Sequence, residues 1–152
     1  MENNLPIRVK AMCLFIHEGR VLVANGNSLR TRSEECMVVP GNFYRAIGGS
    51  IDFSETSEQG VRREIREELG SEIESLELLD VIESIFEYEG QQNHEIAFLY
   101  KGKLTNEAVL NTDVLHIMED TYEFDAEWVA IEQILNGSTP LYPAAPYERL
   151  LQ

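Results

Sequence analysis

Basic residues are scarce in this chain: 12 Lys and Arg stand against 27 Asp and Glu in 152 residues, a formal net charge of −15. So acidic a surface repels the phosphate backbone of DNA or RNA, which proteins hold chiefly with Lys and Arg, and no nucleic-acid polymer is expected as a partner. A small phosphorylated ligand stays open, provided a divalent cation supplies the positive charge that the side chains withhold. The other reading is that the acidity serves solubility alone. Cysteine is scarce too. Cys13 and Cys36 have no Cys or His at metal-ligand spacing, and Cys13 lies within an apolar run, so both are read as reduced thiols without a chemical role. Long apolar runs are missing, none approaching the ~20 residues of a membrane span. The start, MENNLPIRVK, lacks the basic and apolar regions of a secretory signal. A cytoplasmic protein without membrane contact is the expectation. Internal repeats and long linkers are absent as well, which at this length points to one domain over residues 1–152.

What is present alternates between short strands and one strong helix. Residues 8–16 and 21–24 are two apolar strands around Gly19. A polar stretch, 25–42, is long for a loop in a compact domain, and long loops are often functional. Residues 43–47 read as a short strand running into the pair Gly48-Gly49. Further on, LELLDVIESIFEYEG and HEIAFLYKGKL are two strands separated by a turn at 90–93, and a strand at Trp128 and Val129 leads to a short helix that stops at Gly137.

The helix is bounded by chemical signals at both ends. Thr56 and Gln59 have the spacing of a capping box, and Gly70 stands where a helix stops, which places the helix over Ser57–Leu69. Val61, Ile65 and Leu69 recur every four residues and form its buried stripe. At 100° per residue, Glu64, Glu67 and Glu68 border that stripe instead of opposing it. Carboxylates crowded at the edge of a buried face repel one another unless a cation lies between them. Hard divalent ions such as Mg²⁺ or Mn²⁺ take such oxygen ligands. Arg63 and Arg66 offer ion pairs as another relief, so spacing alone leaves both readings open.

The complete pattern is more specific. Gly49, five residues, Glu55, seven residues, Arg63-Glu64-Ile65, one residue, Glu67-Glu68, one residue and Gly70 together resemble the Nudix box, the signature of hydrolases that cleave a nucleoside diphosphate linked to another moiety. Two positions depart from the usual pattern: Ser71, where an aliphatic residue is usual and whose space Ile73 is expected to fill, and Ala46-Ile47 before the glycines, where many members have Leu-Pro. Both concern packing. The resemblance implies an α/β fold, the Nudix-type α/β/α sandwich with a mixed β-sheet, with the box helix on one face and the helix at 131–135 on the other.

It also implies roles. The glycine pair would turn the backbone tightly and let it approach a ligand, with the Gly48 carbonyl offered to the metal. Glu64 and Glu68 would hold Mg²⁺ or Mn²⁺, while Glu67 would share a metal or accept the proton of the attacking water. Arg63 would brace the glutamates and Glu55 would anchor the arginine or the loop. The alternative base is a later carboxylate, Glu119, Asp120 or Glu123, in MEDTYEFDAEW. Phe43 and Tyr44 are candidates to stack on a base, and Arg45 to contact phosphate. Aromatics at strand positions more often pack a core, and Trp128 is expected to pack the domain. The implied activity is metal-dependent hydrolysis of a pyrophosphate linkage in a nucleoside triphosphate or nucleotide sugar. ADP-ribose or dinucleoside polyphosphate hydrolysis is the first alternative, and a non-catalytic nucleotide-binding domain the second. The ending LYPAAPYERLL is expected to pack on the domain or on a second subunit as a homodimer.

Overall fold

The computed structural model describes residues 5–34 and 37–152; Cys36 lies outside them. The first strand, β1 (Arg8–His17), organises the rest. Its residues alternate between two apolar clusters. Ala11, Cys13 and Phe15 belong to one, and Met12 and Leu14 to the other. A strand covered on both faces must read as a continuous apolar run, and AMCLFI does.

Along one edge β1 pairs in parallel with β7 (Gln91–Leu104), which forms a long antiparallel hairpin with β6 (Ile73–Tyr88). Its turn is Glu89-Gly90, both with left-handed φ (55° and 74°), the two-residue type that matches strand twist. The turn therefore falls slightly before the 90–93 expected. Along the other edge β1 first pairs with β5 (Ile47–Ser50), then passes at His17 into β2 (Arg20–Asn25). β2 continues the second half of the sheet with β4 (Tyr44–Arg45) and β9 (Tyr122–Ala130). β3 (Arg30–Thr31) and β8 (Val114–Met118) pair with β9, and β10 (Leu141–Tyr142) pairs in parallel with β4.

Helices cover both faces, giving an α/β/α sandwich on a mixed sheet. α1 (Ser57–Leu69) inserts Val61, Ile65 and Leu69 into the cluster of Ala11 and Cys13; each such side chain contributes roughly 1.5–3 kcal/mol on full burial. α2 (Glu107–Leu110) lies beside it, its Val109 carbonyl accepting from the indole N–H of Trp128, so Trp128 packs the domain. α3 (Ile131–Asn136) and α4 (Tyr147–Leu150) bury Ile134 and Tyr147 in the opposite cluster together with Leu141 and Leu151. The carboxyl-terminal segment thus packs on its own domain. Among the described residues no helix is long and apolar enough to cross a membrane.

Two local expectations are corrected. The segment at 43–47 is not one strand: it splits at Ala46, whose N–H donates to the Tyr142 carbonyl, and the chain changes partners from β2 to β1. The glycine pair consequently lies within β5, opposite Met12 and Ala11, and is no turn. Glycine is needed there for closeness: a Cβ on Gly48, whose φ is 154°, would stand 2.1 Å from the Ala11 carbonyl oxygen. Ser71 is the other. Its buried hydroxyl accepts from the Thr105 and Asn106 N–H groups (both 3.1 Å) and donates to the Glu72 carbonyl (2.9 Å), so hydrogen bonds occupy the place an aliphatic side chain would fill.

Candidate active site

The amino end of α1 is fixed by its capping box. Thr56 Oγ1 accepts from the Gln59 N–H (3.1 Å) and Gln59 Oε1 from the Thr56 N–H (2.9 Å). Gly70, at φ 61°, closes the other end by donating to the Arg66 carbonyl (3.1 Å). With both ends set, the rotation of α1 places Glu64 against β5, where a Cβ on Gly49 would be 2.7 Å from the Glu64 carboxyl carbon. The second glycine of the pair therefore makes room for a carboxylate.

Among the described residues β5 pairs only with β1, so its other edge has no strand on it. Ile51 donates its N–H to Val9 (3.0 Å), and since strand residues alternate, Gly49 faces β1 while the backbone groups of Gly48 and Ser50 face the open edge. The Ser50 carbonyl there accepts from Arg63 Nη2 (3.0 Å). The Gly48 carbonyl lies on the same edge, in a cavity of about 190 Å³ that Glu64 and Glu119 also line.

Glu64, Glu68 and Glu119 bring carboxylate oxygens within 4.8 Å of one another. Both oxygens of Glu68 are buried and, among the described residues, have no donor to bond. The carboxylates of Glu119 and Glu64 lie close by, and a hydrogen bond exists among the three only when one carries a proton. Burial first, then Glu119 and Glu64, push the Glu68 carboxyl far above its ordinary range. An orphaned buried carboxylate facing two others fits a divalent cation, and this observation distinguishes the site from a solvated acidic face.

Arg63 organises the surroundings. Its Nε and Nη2 fork onto Glu55 (2.8 and 3.0 Å), and Nη1 donates to Glu64 (3.1 Å). That fork holds the Glu55 carboxyl down to about 2 and raises Arg63 in turn. Glu67 stands apart from the cluster: its side chain is 61% exposed, with Arg63 Nη1 at 3.4 Å. Asp120 is exposed in the turn between β8 and β9, and Glu123 pairs with Arg30 (3.1 Å) and Arg32 (3.7 Å) on β9. Glu119, half-buried, is the one residue of that stretch brought to the cluster. Phe43 packs against the core and meets Tyr142 edge-on at 6.0 Å, while the Tyr44 hydroxyl accepts from Gln133 (3.3 Å). Arg45 lines the cavity, its guanidinium 5.6 Å from the Phe124 ring centre. Lys10 and Tyr122 line it too and were not anticipated, although a lone lysine in the apolar run RVKAMCLFI was a visible signal. A second, open groove of about 450 Å³ outside α1 is lined by Arg62, Arg63 and Arg66. Those arginines already pair with Glu58, Glu55 and Glu72.

Two carboxylates of α1, a third from the turn between β8 and β9, and a glycine strand edge meet at one cavity, which is where the pattern read in the sequence puts its polar residues. The chain belongs to the Nudix family of hydrolases, whose NUDIX domain matches residues 6–150. Such hydrolases act on pyrophosphate linkages of small nucleotide derivatives and generally use divalent metals. The fold is similar to that of the MutT NUDIX hydrolase from Burkholderia pseudomallei, at TM-score 0.62 and 22% identity over 96% of this chain and 95% of that one. It also resembles a Mutator MutT protein from Bacillus halodurans (TM-score 0.57, 17% identity, 95% and 79% covered). A third likeness is to a NUDIX hydrolase from Nitrosomonas europaea (TM-score 0.56, 15% identity, 86% and 76% covered).

Proposed function

We propose that this protein hydrolyses the pyrophosphate linkage of a nucleoside diphosphate derivative with Mg²⁺ or Mn²⁺. The observation that carries the reading is Glu68, buried beside Glu64 and Glu119 with no hydrogen-bond donor for either oxygen. Glu64, Glu68 and Glu119, with the Gly48 carbonyl on the open edge of β5, would hold the cation, which when bound offsets the anionic charge of the phosphates and acidifies water.

The other residues then have separable tasks. Arg63 fixes Glu64 through Nη1 and ties α1 to β5 through the Ser50 carbonyl. Glu55 saturates the far side of the arginine fork, so Arg63 cannot swing away from the site. Glu67, outside the cluster and in contact with water, is the box carboxylate left to take the proton of the attacking water. Arg45, which lines the cavity, would meet phosphate. Comparing Glu67→Gln with Glu119→Gln tests this division of labour. Glu67→Gln should lower kcat by two orders of magnitude while the protein is still stabilised by Mn²⁺. Glu119→Gln should lose both. Equal behaviour of the two variants would contradict the assignment.

A further inference from the structure

The cavity has a second wall, and its charge is of the opposite sign. In a chain with a formal charge of −15, Lys10 and Arg45 line the same 190 Å³ cavity as Glu64 and Glu119. Lys10 is mostly enclosed, its side chain 18% exposed, and shares its one carboxylate, Glu95 (3.6 Å), with Arg8, which lies closer at 2.7 Å. Arg45 has no carboxylate within ion-pair distance among the described residues; it rests on the Phe124 ring. Burial and the neighbouring Arg45 both pull the Lys10 ammonium below its ordinary range, while Glu95 acts against them. Arg8 and Lys10 thus share the single charge of Glu95, and Arg45 adds a second cation to this wall of the cavity.

The two walls make complementary demands. Clustered acids attract a cation, and the pair Lys10 and Arg45 attracts an anion. A metal-bound phosphoanhydride supplies both at once. A terminal phosphoryl group carries close to two negative charges near neutral pH, as a phosphomonoester does, whereas an esterified internal phosphate carries one. The charge on this wall matches the terminal group.

We propose that Lys10 and Arg45 form a subsite for a terminal phosphoryl group, so that the preferred substrates are nucleoside polyphosphates with an unesterified end, ahead of nucleotide sugars and dinucleoside polyphosphates. This deepens the hydrolase reading and rests on it for the word substrate; the binding preference stands on the cavity alone. Lys10 and Arg45 act here by holding and orienting the phosphoryl chain against the acidic wall.

The test is calorimetric titration in Mg²⁺ with two uncleavable probes, methylenediphosphonate, which has unesterified ends, and its symmetrical dimethyl ester, which carries one charge per phosphorus. The wild type should bind the unesterified probe at least thirtyfold more tightly. Lys10→Met and Arg45→Met should each reduce that preference to threefold or less, Arg45→Lys should retain most of it, and Arg66→Gln, on the outer side of α1, should leave it unchanged. Urea midpoints would verify that each variant is folded, and Arg45→Lys keeps the test decisive if one apolar variant is not. A wild-type preference below threefold, or a preference that persists in both Met variants and so reflects chelation of Mg²⁺, overturns the proposal. Failure of the hydrolase reading looks different: the preference would depend on Lys10 and Arg45 while no anhydride was cleaved.

Discussion

Replacing Glu68 by Gln should make the metal-free protein more stable while abolishing its activity. In EDTA the wild type keeps a buried carboxyl with no donor for either oxygen, beside Glu64 and Glu119. The amide has the same shape, carries no charge and offers two N–H donors to those carboxylates. An unsatisfied buried polar group costs about 1–3 kcal/mol, and for a domain of this size 1 kcal/mol moves the melting temperature by about 2–4 °C. A gain near the middle of that range raises Tm by about 4–8 °C. The effect should depend on pH in a fixed direction. Because the folded-state pKa of Glu68 lies above the ordinary 4.5, its contribution is fully present below about 4.5 and is lost as pH rises toward the folded value. Metal-free wild type should therefore weaken from pH 5 to pH 8, by at most about 1.4 kcal/mol per pH unit for one proton, and the variant should escape this loss. Adding Mn²⁺ should reverse the order, since a ligand bound only by the native state stabilises it. Scanning calorimetry in EDTA and in Mn²⁺ reads all three effects. A Glu68→Gln protein less stable than wild type in EDTA at pH 8 would refute the reasoning, because it would mean that the carboxylate is satisfied without a metal.

Other substitutions follow from the same geometry. Gly49→Ala drives a methyl group to 2.7 Å from the Glu64 carboxyl carbon; the side chain yields, so the fold should persist with activity down about a hundredfold. Gly48→Ala meets backbone at 2.1 Å, and urea denaturation should show a loss of about 3 kcal/mol or more, at or beyond the upper end usual for core overpacking. Arg63→Lys loses the fork onto Glu55 and the bond to the Ser50 carbonyl. Leaving such a charged hydrogen bond unmade costs about 1–3 kcal/mol, and the urea midpoint should fall with kcat. Glu55, held at about 2 against an ordinary 4.5, stabilises the fold above about 4.5 and loses that contribution as pH falls through about 2. The stability gap between wild type and Glu55→Gln should accordingly close over that acid window, and a gap unchanged at pH 2 would show that the Arg63 pair does not hold Glu55.

Much of the site could be read along the chain because one helix carries it. Thr56, Gln59 and Gly70 set the ends of α1, and its period then determines which glutamates border the core. The glycine pair was legible as a necessity, yet its geometry was not: whether backbone turns or runs close to another strand depends on Ala11 and Glu64, which sequence distance conceals. Glu119 reaches the cluster only because β8 and β9 form a hairpin there. In that hairpin Phe124, Ala126 and Trp128 alternate with Glu123, Asp125 and Glu127 as buried and outward positions of a strand. Charge on the outward face masked the period. Lys10 was hidden for the opposite reason, a cation near the start of a run whose later residues announced a core strand.

The central claim is metal-dependent cleavage of a phosphoanhydride at the Glu64, Glu68 and Glu119 cluster. It is tested most directly by chromatographic product analysis on nucleoside triphosphates, nucleotide sugars, ADP-ribose and dinucleoside polyphosphates, with Mg²⁺ or EDTA, for wild type and Glu68→Gln. The account predicts nucleotide product from the wild type in Mg²⁺ alone. Equal product in EDTA, equal product from Glu68→Gln, or no product from a folded wild type on any of these compounds would contradict it.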